Sequence, residues 1–258
     1  MARFVSAASA ARTRRQHTLD GVTYWRTDYF NTAGESPQAF IVEKSPGDVS
    51  RPHFHRENEF QVFVRGDGQF GRHAVQAYAV HYSGAYTGYG PIVPGERGLA
   101  YFTLRDRHDA GAFYLPESMP QMRRVPKTFR LSEQLPGDPV QLAALDAVQA
   151  VSVFAPEPDG LASVLLRIPA GARASAPPPQ GSGGQFLVVL GGALLHDAEE
   201  LGVLSCIAVA ADDPPVALTA CDAGAEVLVL QFPRRAPWQD QAPDAPELPT
   251  GSERAGQP

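Results

Sequence analysis

The stretch Gly47–Gly66, GDVSRPHFHRENEFQVFVRG, decides how this chain is read. It places His53, His55 and Glu59 at even separations, and Gln61 continues the same parity. On an extended strand, side chains of one parity face one side. The spacing therefore predicts two imidazoles and a carboxylate converging on one face, a donor set suited to a single divalent metal ion. Gly47 suits a turn into the strand, and Gly66 with Asp67 and Gly68 a turn out of it. Pro52 sits at the strand entry, where a missing N–H costs least. Gln61 faces the same side as Glu59, as a weak ligand or a hydrogen-bond partner for a bound water or substrate.

Composition narrows the class before any family is considered. The 258 residues suffice for one large or two modest domains, and 43% hydrophobic residues supply a core. Gly and Pro, 24 of each, favour short strands and many turns over long helices. A net charge of −6 argues against nucleic acid as a partner. The longest apolar run, Phe186 to Leu195, is too short for a membrane span and is interrupted by two glycines. Cys206 and Cys221 lack metal-ligand spacing and are read as free thiols in a reducing cytoplasm.

Strands are expected over Val22–Phe30, Gln38–Lys44, Gln69–Val75, Ala79–Tyr82 and Leu99–Arg105, with Phe113–Leu115 closing the first unit. Four prolines and a basic patch between Pro116 and Asp138 mark a connector, and Gln141–Gln149 has the composition of a short helix. Strand-like runs return from Val151. An internal echo accompanies them: Gly171, Pro177 and Pro179 repeat the spacing of Gly47, His53 and His55, with Gln185 near the carboxylate position and Gly191 near the closing glycine. The expected division is a flexible segment 1–17, a first domain 18–116, a linker 117–150, a second domain 151–233 and a disordered tail 234–258.

The Gly47–Gly66 stretch resembles the first motif of the cupin superfamily, G(x)5HxH(x)3-4E(x)6G, at every fixed position. The resemblance implies an all-β fold: two jelly-roll barrels in tandem, the second degenerate because histidines are absent from its ligand positions. It also implies one metal held inside the first barrel by His53, His55 and Glu59, with Fe(II) first and Mn, Ni or Zn as alternatives. The second family motif survives as Gly88 and Pro94, but Leu99 stands where its histidine belongs. His81 is the substitute considered for a fourth ligand, ahead of His73 and His108, which read as exposed. Tyr86, Tyr89 and Tyr101 read as core residues or a pocket mouth. Arg72, Arg97 and Arg105 read as solvated, with a clamp for a substrate carboxylate as the alternative.

Two functions follow from this resemblance. One is a metal-dependent enzyme acting on a small organic molecule, dioxygenase-type first and isomerase or lyase second, in which Glu59 also serves as a base. The other is a non-catalytic two-barrel protein that binds a small ligand or serves as a scaffold. Family habit adds a homodimer formed through edge strands.

Overall fold

The computed structural model describes residues 1–19, 21–30, 34, 36–135 and 142–240. Its strands, in order, are β1 (Arg3–Val5), β2 (Arg15–Leu19), β3 (Val22–Phe30), β4 (Gln38–Lys44), β5 (His53–Phe54) and β6 (Glu59–Phe70). Next come β7 (His73–Gln76), β8 (Val80–Ser83), β9 (Ile92–Arg105), β10 (Phe113–Tyr114), β11 (Phe129–Leu131) and β12 (Gln149–Phe154). The chain closes with β13 (Ala162–Ile168), β14 (Arg173–Ser175), β15 (Gln185–His196), β16 (Glu199–Gly202), β17 (Cys206–Val209) and β18 (Ala217–Gln231). A single turn of helix, α1 (Ala7–Ala11), follows β1 and is capped by the Ser6 side chain. No helix among the described residues is long and apolar enough to cross a membrane.

Two eight-stranded antiparallel sheets carry the fold. The first runs β11-β8-β6-β9-β4-β3-β2, with β7 on β6; the second runs β1-β17-β15-β18-β13-β12, with β14 on β18 and β16 on β15. The β5–β10 pair stands apart from both. The tandem all-β expectation therefore holds, and the duplication is visible in the ladders. Phe60 pairs with Leu104 and Val62 with Phe102 in the first sheet; Phe186 pairs with Leu230 and Val188 with Leu228 in the second. These even-numbered residues of both sheets join one apolar cluster that binds the two halves together.

The glycines show why the strands are so long. Gly66 has φ +77°, and a Cβ there would lie 2.0 Å from the Gly98 carbonyl oxygen. Gly192 repeats this, with φ +59° and the Gly224 oxygen at 2.0 Å. Only glycine fits either place. The turn expected at Gly66–Gly68 is thus a bulge, where the β6–β9 register shifts and β6 bends without ending. In the second half the closing glycine is Gly192, one residue beyond the Gly191 expected.

Several boundaries differ from the sequence reading. The N-terminal segment expected to be flexible supplies β1, which pairs with β17, and β2, which pairs with β3. Both are edge strands; β2 folds back on its neighbour β3, whereas the partner of β1 lies far along the chain, information that local composition does not carry. The 117–150 connector likewise gives β11 to the first sheet, paired with β8. The Gln69–Val75 strand is broken by a turn at Gly71–Arg72, so its halves belong to β6 and β7. Of the helix expected over 141–149, residue 141 lies outside the described residues, only 142 and 143 are helical, and Gln149 opens β12. In the expected tail, Pro237–Asp240 forms a 3-10 turn, and 241–258 lie outside the described residues.

Candidate functional site

The face of the first sheet that carries the odd-numbered motif residues turns inward. Glu59 and Gln61 point there from β6, opposite to Phe60 and Val62. The ladders set the neighbours in rows. Gln61 pairs with Thr103 on β9 and with His81 on β8, while Glu59 pairs with Ser83. Gln38 pairs with Arg105, Phe40 with Thr103, Val42 with Tyr101 and Lys44 with Leu99. His53 comes from β5, and His55 from the bend between β5 and β6. The three motif residues are therefore not on one strand as the even spacing predicted. The chain turns between His55 and Glu59, and the two segments bring the side chains together across that turn. The resulting cavity is about 670 Å³, within the usual range for small-molecule sites.

Each motif side chain has a defined partner. His53 Nδ1 lies 2.7 Å from the Arg51 carbonyl oxygen, which can only accept, so Nδ1 carries the proton and Nε2 its lone pair. Burial, reinforced by His55, pulls the His53 pKa down to about 4 and keeps the ring neutral at pH 7. His55 Nδ1 stands 3.1 Å from Asp109 Oδ1. Asp109 also accepts from the Arg56, Glu57 and Gly111 backbone N–H groups. Burial would raise the Asp109 pKa, but the His55 hydrogen bond and charge, then Arg105 and the Gly111 N–H, hold it below the usual carboxylate range.

Glu59 is fully buried. Its Oε1 accepts from the Tyr89 hydroxyl at 2.5 Å, and its Oε2 pairs with Arg105 Nη2. Burial alone would push its pKa up; Arg105 first, then His55, outweighs this and holds it below the ordinary value. Tyr89 is raised well above its usual value, by burial and then by Glu59, so it stays a donor. Arg105, read from sequence as solvated, is 3% exposed. Its Nη1 donates to Gln38 Oε1 at 2.5 Å, and its Nη2 lies 3.1 and 3.2 Å from the two His55 ring nitrogens. Near-equal distances to both nitrogens place the guanidinium over the ring rather than along a lone pair.

His81 is buried behind this layer. Its Nδ1 meets Gln61 Oε1 at 3.0 Å, and its Nε2 has no partner among the described residues. Burial lowers its pKa to about 3, so it is neutral. Phe70, Tyr89 and Phe129 surround the ring at 4.4, 5.1 and 4.8 Å.

The donor set can be tested against a metal ion. The Nδ1 partners of His53 and His55, a carbonyl and a carboxylate, are those that orient metal-ligating histidines. However, both Glu59 oxygens are engaged, one by a cation lying against His55. Among the described residues, no three His, Cys, Asp or Glu side chains converge closely enough to hold a metal ion. As arranged, the residues do not fit a metal held by His53, His55 and Glu59, with or without His81. Arg105 supplies the positive charge to which Glu59 is committed. The sequence alone marks no site role for Asp109 or Gln38, and in it Arg105 reads as solvated and Tyr89 as core or pocket mouth. A charged residue of interior parity in the apolar Leu99–Arg105 run was the available signal for Arg105.

The second half offers an internal comparison. Gln185 pairs with Gln231 across β15 and β18, at the ladder positions of Glu59 and Arg105, and their side chains hydrogen-bond at 2.7 Å. By the same ladders, Ile207 and Leu187 replace His81 and Gln61, Val229 and Val227 replace Thr103 and Tyr101, and Ile168 replaces Lys44. All five of these are apolar and belong to one buried aliphatic cluster.

No protein-family model matches this sequence, and no curated protein does. Solved structures do match in fold. A candidate dioxygenase from Nostoc punctiforme superposes with a TM-score of 0.66 at 13% identity, covering 90% of this chain and 82% of its own. An Escherichia coli pirin in complex with nickel(II) gives 0.54 at 14% identity, covering 91% of this chain and 100% of its own. A Lactobacillus farciminis oxalate decarboxylase in a formate complex gives 0.57 at 11%, covering 90% and 86%. At these identities the likeness is one of fold.

Proposed function

We propose, from the premise that this chain has the tandem cupin fold, that its first barrel binds a small organic molecule without a metal ion. The carrying observation is the contrast between the halves. Where the second barrel has Gln185, Gln231, Leu187, Ile207, Val227, Val229 and Ile168, the first has Glu59, Arg105, Gln61, His81, Tyr101, Thr103 and Lys44. A buried aliphatic interior satisfies the fold. The polar, hollow interior of the first barrel costs desolvation and serves something beyond folding. His53 Nε2 accepts from a ligand hydroxyl or amide. The Glu59–Arg105–Tyr89 cluster, tied to Gln38 through Arg105 Nη1, holds its shape without the ligand.

Elemental analysis of untagged protein, with thermal-shift screening of small organic molecules, tests this reading. Little metal and stabilisation by organic ligands that His53→Ala abolishes are expected. Near-stoichiometric metal lost in a His53→Ala, His55→Ala double variant would overturn it.

A second reading is a metal-dependent oxidoreductase, dioxygenase-type, with Fe(II) or with Mn, Ni or Zn. The orientation of His53 and His55, each with Nδ1 already engaged, favours it. It requires Arg105 to release Glu59. The proposal includes a cytoplasmic setting, consistent with two free cysteines, and a homodimer, which sedimentation would test.

A further inference from the structure

Lys44 ends β4 and is 6% exposed, with its side chain on the cavity wall. Its ammonium makes no hydrogen bond and no ion pair with any described residue. Its companions are the Tyr24 ring, 5.4 Å away, and the charge of Asp48, whose carboxylate already accepts from the Ser45 N–H. A charge that lacks a partner and keeps only the cavity side open to water is costly for a fold to carry. The fold does not require it, because Ile168 occupies the matching ladder position and is fully buried.

The surroundings add to the positive balance. Arg15 and Arg26 share a single carboxylate, Asp28, at 2.7 Å each. Arg26 Nη2 is buried without a partner, and Arg26 stands in the ladder against Val42, two residues before Lys44. Lys44 and Gln38 are the last and first residues of β4, so the Lys44 row and the Arg105 row lie roughly 20 Å apart. Between them the wall is Phe40, Val42, Tyr24 and Tyr101.

We propose that Lys44, with Arg26, is the carboxylate-binding pole of this cavity. The ligand is then an elongated organic carboxylate with an apolar or aromatic body, whose far end reaches toward His53 and Glu59. The proposal rests on the small-molecule reading above and names its ligand class.

The test is a panel of aliphatic and aromatic monocarboxylic acids, each beside its own primary amide, screened on the full chain by thermal shift and quantified by calorimetry. At least one acid is expected to bind about tenfold or more tightly than its amide, as a charge-assisted contact gives. Lys44→Met should remove that preference while raising the melting temperature by about 2–4 °C, because it replaces an unpaired buried charge with an apolar chain. Lys44→Arg should keep the preference. Equal binding of acids and amides, a preference that survives Lys44→Met, or a Lys44→Met protein less stable than the parent would each overturn the assignment. Equal binding would leave the cavity as a small-molecule site and remove only the carboxylate pole. No binding by any compound would remove both.

Discussion

Arg105→Gln is the sharpest test of how the first barrel is held together. Arg105 and Glu59 are 3% and 0% exposed, so neither charge has water to fall back on. Removing the guanidinium leaves a buried carboxylate whose remaining donor is Tyr89. Breaking a buried pair from one side costs about 3–5 kcal/mol. For a chain of this size that is roughly 6–20 °C in melting temperature. Glu59→Gln should cost a similar amount, because it strands Arg105. The double variant Glu59→Gln, Arg105→Gln should recover most of the loss, since Gln185 and Gln231 already form a neutral pair at the matching positions. The assay is urea unfolding of the four proteins at pH 7. Acidification gives a second check. In the parent, Glu59 is held below its usual pKa, so its contribution is present above about 4.5 and lost as pH falls through the folded value. Without Arg105, burial raises that pKa, the carboxyl takes up a proton, and the gap between parent and Arg105→Gln narrows toward pH 4. A double variant whose loss equals the sum of the singles would refute the coupling, and with it the idea that Arg105 is the cation the site was built around.

Other outcomes follow from the same geometry. Gly66→Ala and Gly192→Ala should each cost at least about 1–3 kcal/mol in urea unfolding, because each Cβ meets a carbonyl oxygen at 2.0 Å; neutrality at either would contradict the bulge. His81, with a folded pKa of about 3 against an ordinary 6.5, takes up its proton first in the unfolded chain, so its stability is full above 6.5 and falls as pH drops. His81→Ile, copying Ile207, should remove about 1.4 kcal/mol per pH unit from the stability slope between pH 6 and 4; an unchanged slope would assign the acid sensitivity elsewhere. Deleting residues 2–5 uncovers the β17 edge that Arg3–Val5 pairs with, and should lower the melting temperature and promote self-association in sedimentation.

What could be read in the chain followed from period and punctuation. The alternation along Glu59–Phe63 placed Glu59 and Gln61 inside, because the pleat leaves a strand no other choice. Gly66 was legible as a break in the strand, while its role as a bulge, and the place of its echo at Gly192 and not Gly191, came from close approaches to the Gly98 and Gly224 carbonyls. The paired prolines at 177 and 179 showed that only the first half keeps the histidines. What could not be read was partnership. Arg105 and Glu59 are far apart in sequence, and nothing local to either says that they meet; the β6–β9 ladder decides it. The same holds for Asp109 behind His55, for β1 closing the opposite half, and for Lys44, which looks like any strand-end lysine until burial removes most of its water. Local sequence sets which face a side chain takes, since that depends on the residue's own backbone. Whether a buried charge is neutralised by a metal, an arginine or a ligand depends on groups brought near only when the sheets close, and that was left to the tertiary structure.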